Sequence, residues 1–179
     1  MDDERFSLTA HRSRTFDLLE SWTHIPGVLV DLHLTVIRSN VLARALTPGF
    51  SQDVNLARFT FLDPLVIRDG SLWSDASAQI LGMLRESFDH HGTDRELLTI
   101  VDELSAESRD FSQVWPEELS SAIPAGKVTF VDTAVGPITL GYSLILFPGI
   151  CDDILVAFRA LDEPSQANLG RLIISIQGR

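Results

Sequence analysis

The sequence predicts an α+β domain in which helices pack on one face of an antiparallel sheet. Apolar and polar residues alternate from Val28 to Val36, as in a half-buried strand. The middle of the chain repeats apolar residues every three or four positions, as amphipathic helices do. After Lys127, β-branched and aromatic runs separated by Gly-Pro and Pro-Gly pairs indicate three more strands.

The chain has 179 residues, 45% of them hydrophobic, which is enough for one core and too short to require two domains. Residues 1–13 are polar, and we expect a loose tail there. Four apolar residues then predict a short lead-in helix that Pro26-Gly27 would end: Phe16, Leu18, Leu19 and Trp22. We therefore assign residues 1–26 to a tail with a lead-in helix, and residues 27–179 to the domain proper.

Periodicity alone predicts a single strand from Val28 to Val36. Asn40 precedes a helical segment over residues 41–46, where its side chain can accept from the first free N–H groups, so we predict an N-cap. After a break at Pro48-Gly49, residues 53–62 predict another short helix. Asp63-Pro64 should end it, because a residue before proline disfavours the α region.

Residues 72–88 predict the clearest helix, since its apolar stripe recurs at helical spacing: Trp73, Ala76, Ile80, Leu84 and Phe88. Thr93 and Glu96 form a capping-box pattern ahead of the next helix, and a further turn or two carries Phe111 and Trp115. The later strands are predicted over residues 128–131, 138–147 and 154–158. A last helix over residues 165–176 follows turn and capping residues.

The charge balance argues against a nucleic-acid-binding role, because 14 basic residues face 25 acidic ones and the net charge is −11. The single cysteine, Cys151, excludes an internal disulfide and is compatible with a reducing compartment. The start of the chain lacks the pattern of a signal peptide, and no apolar run is long enough to span a bilayer. We expect a soluble, cytoplasmic protein with no membrane contact.

The residues also favour a binding module over an enzyme, because the common motifs of hydrolases and of phosphate or dinucleotide sites are missing. Cys151 is followed by two aspartates whose charge would raise the thiol pKa. His90-His91 are adjacent, so their side chains diverge, and no second cluster completes a metal site. Four glutamates are best explained as solvated helix surface: Glu103, Glu107, Glu117 and Glu118. We expect no catalysis, cofactor or metal.

The most specific motif is Asn55 to Pro64, reading Asn-Leu-Ala-Arg-Phe-Thr-Phe-Leu-Asp-Pro. It follows Asn40–Leu46 and precedes Glu103-Leu104, Phe111–Trp115 and the run Gly136-x-Ile138-x-Leu140-x-Tyr142. In this order and spacing, across about residues 15–175, the motifs resemble the MmyB-like ligand-binding domain of bacterial helix-turn-helix (XRE-type) transcription regulators.

The resemblance implies a PAS-like fold, with a five-stranded antiparallel sheet, helices packed on one face, and N- and C-terminal flanking helices. It breaks the first strand region into two strands joined by a turn near residues 31–33, and we follow it there rather than the periodicity. It also implies a small-molecule sensor that binds an apolar or fatty-acid-like ligand between sheet and helices. Dimerisation through the first or last helix is the natural output, so we expect a homodimer.

Six residues are candidates for ligand contact under this resemblance: Arg58, Phe61, Trp73, Phe111, Trp115 and Tyr142. Arg58 could bind an acidic group of the ligand, or it could pair with a carboxylate that fixes its helix. The aromatic side chains could line an apolar pocket, with the Tyr142 hydroxyl orienting a ligand, or they could simply pack the core.

The chain departs from the family pattern at two places: Glu118 stands where the family usually has a histidine, and Asp132-Thr133 stand where it has a His-Pro pair. Residues 1–26 are too few for the DNA-binding helix-turn-helix that precedes this domain in the family, so we expect either a piece of a regulator or a stand-alone sensor. A different function is a protein-interaction or dimerisation module without a ligand. A cavity of roughly 300 Å³ or more beside Trp73, Trp115 and Tyr142 would favour the sensor.

Overall fold

The computed structural model describes residues 2–64, 73–116, 124–147 and 151–178. The helices are α1 (Asp2–Ser21), α2 (Val41–Arg44), α3 (Leu56–Leu62), α4 (Trp73–His91), α5 (Arg95–Glu107), α6 (Arg109–Val114) and α7 (Glu163–Gln177), with a 3₁₀ turn at Pro48–Phe50. The strands are β1 (Gly27–Val30), β2 (Val36–Ser39), β3 (Ala125–Phe130), β4 (Ile138–Leu146) and β5 (Ile154–Ala160).

The five strands form one antiparallel sheet in the order β2-β1-β5-β4-β3. The last strand of the chain therefore lies beside the first, at the centre of the sheet. Val28 pairs with Val156 across these central strands, and Tyr142 of β4 pairs with both Phe158 and Gly126. The α+β class and the five-stranded PAS-like sheet are confirmed.

The main core lies between one face of the sheet and the helices that follow β2. Val28, Val156 and Phe158 point into it from the central strands, and Leu84 and Leu104 meet them from α4 and α5. Leu169 and Leu172 of the C-terminal helix α7 join the same core. Because strand side chains alternate between faces, neighbouring residues of the same strands point the other way.

The opposite face of the central strands is covered by α1. Leu19 packs there against Leu29 and Leu155, and all three side chains are fully or almost fully buried. Arg12 of the same helix forms two hydrogen bonds, of 2.8 and 2.7 Å, with the carboxylate of Asp153 before β5. The two predicted flanking helices thus exist, and α1 is attached to the sheet by packing and by an ion pair.

The two strands and the turn near residues 31–33 that the resemblance implied are confirmed, since the Asp31 carboxylate accepts hydrogen bonds from the N–H groups of His33 and Thr35 and turns the chain. Two other local predictions were wrong. Residues 2–13 are not a loose tail, because α1 already begins at Asp2. Asp94, not Thr93, caps α5, because its side chain accepts from the N–H groups of Glu96 and Leu97.

Other local predictions are confirmed. The Asn40 side chain accepts from the N–H of Ala43 and caps α2, as the sequence indicated. The predicted stop of α3 is confirmed too, since the helix ends before Asp63 with its extended backbone. Asn55, which was not predicted as a cap, begins α3 by accepting from the N–H of Arg58. Within the four described ranges, no helix has the length and apolar content that crossing a bilayer would require.

Candidate functional site

A cavity of about 400 Å³ lies between the sheet and the helices that cover it. Side chains of four strands form its floor: Val28, Val128, Phe130, Tyr142, Leu144, Val156 and Phe158. Side chains of α3 and α4 form the opposite wall: Leu56, Phe59, Ala76, Ile80 and Met83. Its size falls within the range of small-molecule sites, and its lining is largely apolar, as such sites require.

The strand alternation explains why these residues share the cavity. Residues 128 and 130, 142 and 144, and 156 and 158 are two apart in their strands, so each pair points to one face. The 3₁₀ turn Pro48–Phe50 closes one side. A Cβ atom on Gly49 would lie 2.6 Å from the Phe59 ring, so glycine at this position lets that ring close the wall.

Polar groups are few in this lining: Thr47, Thr60 and Ser77 carry hydroxyls, Gln79 an amide, and Asp63 and Asp132 carboxylates. None of the lining residues that the structure describes is basic. Asp132 lies at a position where the chain departs from the family pattern. The cavity is therefore an apolar space with hydroxyl, amide and acidic groups at its margins.

Tyr142 contributes the most constrained polar group of the cavity. Its hydroxyl donates a 2.8 Å hydrogen bond to Oε1 of Gln79 on α4, and both residues are buried. The ring crosses the neighbouring strand β3 at Gly126, where a Cβ atom would lie 2.4 Å from the hydroxyl oxygen. Burial raises the pKa of the Tyr142 phenol, and the negative charge of Asp75 raises it further.

Arg58 lies outside the residues that line the cavity. Its Nε and Nη2 atoms approach one carboxylate oxygen of Glu103 at 2.8 and 2.7 Å, which joins α3 to α5. The two side chains are about one third exposed, so water still reaches this ion pair. The guanidinium thus takes the carboxylate-pairing alternative in this structure, and Glu103 is a paired residue as well as a surface one.

Three of the aromatic candidates pack on one another away from the lining. Phe61 meets Phe111 edge to face at 5.1 Å, and Phe111 stacks on Trp115 at 5.1 Å. The guanidinium of Arg85 lies over the Trp115 ring at 5.4 Å and donates to the Trp115 carbonyl. The Trp73 side chain and residue 118 lie outside the described residues. Tyr142 is the candidate that the structure places in the cavity wall.

The sequence reasoning missed most of the lining. Phe59 and Thr60 lie inside the Asn55–Pro64 motif, but the motif gave no sign of which of its side chains face a cavity. Phe50 and Met83 carried no signal beyond their apolar character. Asp132 did carry one, because it occupies a position where the family has a different residue type.

The groups considered for catalysis or metal binding do not converge on this cavity. Burial raises the pKa of the Cys151 thiol, and the nearby Asp153 carboxylate adds to the effect. The ring centroids of His90 and His91 are 6.4 Å apart, and His91 lies 3.5 Å from an Asp152 oxygen. Across the described ranges, no group of three or more His, Cys, Asp or Glu side chains is arranged to hold a metal ion.

A larger groove of about 580 Å³ runs along the surface between α1, β2, α2 and α7. Several of its polar side chains are partnered with protein groups: Arg38 pairs with Glu20, and Arg44 donates to the Ser39 carbonyl. The Asn40 amide, also in this lining, is used in holding the backbone together. The smaller cavity is the better ligand site, because many core side chains line it and its lining is more apolar.

Comparison with known proteins agrees with this architecture. The family model described as the MmyB-like transcription regulator ligand binding domain matches residues 12–172, which is most of the chain. A search of the curated proteins found no match. The matched range contains the whole sheet, the cavity and both asparagine-capped helices. This chain therefore belongs to the family of MmyB-like transcription regulator ligand-binding domains.

Proposed function

We propose that this domain is the small-molecule sensor of a transcription regulator and binds an apolar or fatty-acid-like ligand between the sheet and helices α3 and α4. The observation that carries the proposal is the cavity of about 400 Å³. It exceeds the roughly 300 Å³ at which pockets begin to hold small molecules. It supports a sensor over the alternative, an interaction module with a filled core.

An apolar ligand would gain free energy by leaving water for this space. Removing apolar surface from water contributes roughly 25 cal/mol per Å². The rigid aromatic groups Phe50, Phe130 and Phe158 contact one another at centroid distances of 5.5 to 6.0 Å, so this part of the cavity wall is already formed. A preformed wall reduces the ordering cost of binding.

We propose a change in homodimerisation as the output. Ile174 of α7 is 71% exposed and Leu18 of α1 is 46% exposed, so each terminal helix offers an apolar side chain to a second copy. A ligand can shift such an assembly only if it binds the two states unequally. We also propose a cytoplasmic protein that does not itself contact nucleic acid, which the net charge of −11 supports.

Native mass spectrometry of the chain, incubated with a bacterial lipid extract, tests the sensor directly. We expect an apolar molecule to be retained, and the dimer fraction to change when it binds. Ala76→Phe should abolish retention, because position 76 lines the cavity and the added ring would fill it. Ala78→Phe is the matched control, since it makes the same change at an exposed position of the same helix.

Two outcomes would count against the proposal. If wild type and Ala78→Phe retain no molecule, the cavity is not a ligand site and the interaction module becomes the better account. If Ala76→Phe retains as much as wild type while remaining folded by circular dichroism, the ligand binds elsewhere.

A further inference from the structure

We propose that the polar group of the ligand is an uncharged hydrogen-bond donor, as in a long-chain alcohol or primary amide, and that the Tyr142 hydroxyl oxygen accepts its hydrogen bond. This inference rests on the proposed function and specifies the ligand class of the same cavity. It concerns the head group only. The apolar chain of such a molecule would occupy the space between β4, β5 and α4.

The state of the Tyr142 hydroxyl decides which ligand groups it can bind. Its proton is already directed to Oε1 of Gln79 at 2.8 Å. A phenolic oxygen retains acceptor capacity when its proton is donated elsewhere. The group that it can bind without losing the Gln79 bond is therefore a donor. An ionised carboxylate is acceptor-only, so it would have to displace Gln79 from the tyrosine proton.

The position of Tyr142 is fixed by its neighbours. The ring is held between Gly126 on β3, where even a Cβ atom would come within 2.4 Å of the hydroxyl, and Gln79 on α4. The residue is 7% exposed, so few alternative positions are open to its ring. A fixed polar group in an apolar wall orients a ligand at low entropic cost.

The negative charge at the other end of the cavity disfavours an anionic head group. Asp132, an exposed residue at the margin of the cavity, follows the end of β3 that is far from Gly126, the strand partner of Tyr142. Asp63 adds a second acidic side chain to the lining, and the described lining residues include no basic one. A buried charge needs a partner of opposite sign to offset its desolvation. A carboxylate head group would therefore meet the acceptor oxygen of Tyr142 at one end of the cavity and the negative charge of Asp132 at the other.

The test compares four probes that share one alkyl chain: dodecanol, dodecanamide, dodecanoic acid and dodecane, each titrated into the full chain at neutral pH. We expect the alcohol and the amide to bind about tenfold tighter than the acid, and about three- to tenfold tighter than the alkane, as one neutral hydrogen bond warrants. Tyr142→Phe should reduce the alcohol to the affinity of the alkane.

Two aspartate variants examine the charge at the far end. Asp132→Asn should increase the affinity for dodecanoic acid several-fold and leave the affinity for dodecanol unchanged, because it removes the like charge and not the acceptor. Asp89→Asn is the control, since it makes the same charge change at an exposed residue of α4 outside the lining. It should alter neither affinity.

The results separate the two proposals. If dodecanoic acid binds as tightly as dodecanol, or if Tyr142→Phe folds normally and binds dodecanol like wild type, the head-group inference is wrong and the apolar sensor stands. If none of the four probes binds, including the alkane, the apolar sensor and the inference both fail.

Discussion

At the scale of single residues, the side chains that decide this structure are polar groups buried with specific partners. Asn40 is 5% exposed and uses its whole amide: the oxygen accepts from Ala43, and the nitrogen donates to the carbonyls of Trp22 and Ile25. Tyr142 is fixed in a comparable way by Gln79 and by the space above Gly126. Both residues belong to motifs that the sequence identified, although Gln79, the partner of Tyr142, lies 63 residues away and could not be predicted from the motif.

Tyr142 can be observed directly, since it is the one tyrosine in the sequence. Burial and Asp75 raise its pKa above the ordinary 10.0, because both disfavour the phenolate. The stability that this provides is complete below pH 10 and is lost as the pH rises through the higher folded pKa.

An ultraviolet titration of tyrosinate absorbance checks this shift. The midpoint of the native chain should lie above that of the same chain unfolded in urea. Dodecanol in the cavity should raise it further by excluding water. Coincident native and unfolded midpoints would contradict the buried position of the hydroxyl.

Asn40→Ala should cost about 2–3 kcal/mol of unfolding free energy, because it removes the cap of α2 and leaves buried backbone groups without partners. The control is Asn168→Ala, whose exposed amide donates one bond to the Pro137 carbonyl. That substitution should cost less than about 1 kcal/mol. Urea denaturation measures both, and equal losses would show that the buried amide has no special importance.

At the scale of elements, the cap of α2 and the stop of α3 followed from the sequence because they depend on residues within four positions of each other. Periodicity alone did not give the break between β1 and β2, because the break requires Leu34 to adopt a positive φ of 63°; the resemblance did give it. The cavity could not be located from the sequence, since its walls come from four strands and two helices that are distant in sequence. Phe61, Phe111 and Trp115 showed the same limit: their residue type predicted burial and not which neighbours they would have.

The attachment of α1 to the sheet gives a prediction at this scale. Arg12→Met keeps most of the aliphatic stem but leaves Asp153, whose side chain is 4% exposed, without its cation. Removing one partner of a buried pair costs roughly 3 kcal/mol of unfolding free energy. We expect α1 to be destabilised more than the rest of the fold. Hydrogen exchange of α1 amides should therefore accelerate.

Arg14→Met provides the matched control, since Arg14 is exposed on the same helix. It should leave the exchange of α1 unchanged. Similar acceleration in both variants would mean that the ion pair with Asp153 does not hold the helix in place.

At the scale of the whole molecule, the central strands connect the ligand cavity to the N-terminal helix. Val156 of β5 lines the cavity, and its neighbour Leu155 packs on the opposite face beside Leu19 of α1. A ligand that shifts β5 would therefore alter the support of α1 without contacting it. A ligand at about 100 times its Kd also stabilises the fold by about 2.7 kcal/mol, so binding and stability should rise together.

The central claim is that an apolar molecule binds between the sheet and α4. Nuclear Overhauser contacts between the methylene protons of dodecanol and protein methyl groups test it most directly. The account predicts contacts to Ile80, Leu144 and Val156, which line the cavity, and their loss in Ala76→Phe. Contacts confined to the exposed Ile174 of α7, or persisting in Ala76→Phe, would contradict it.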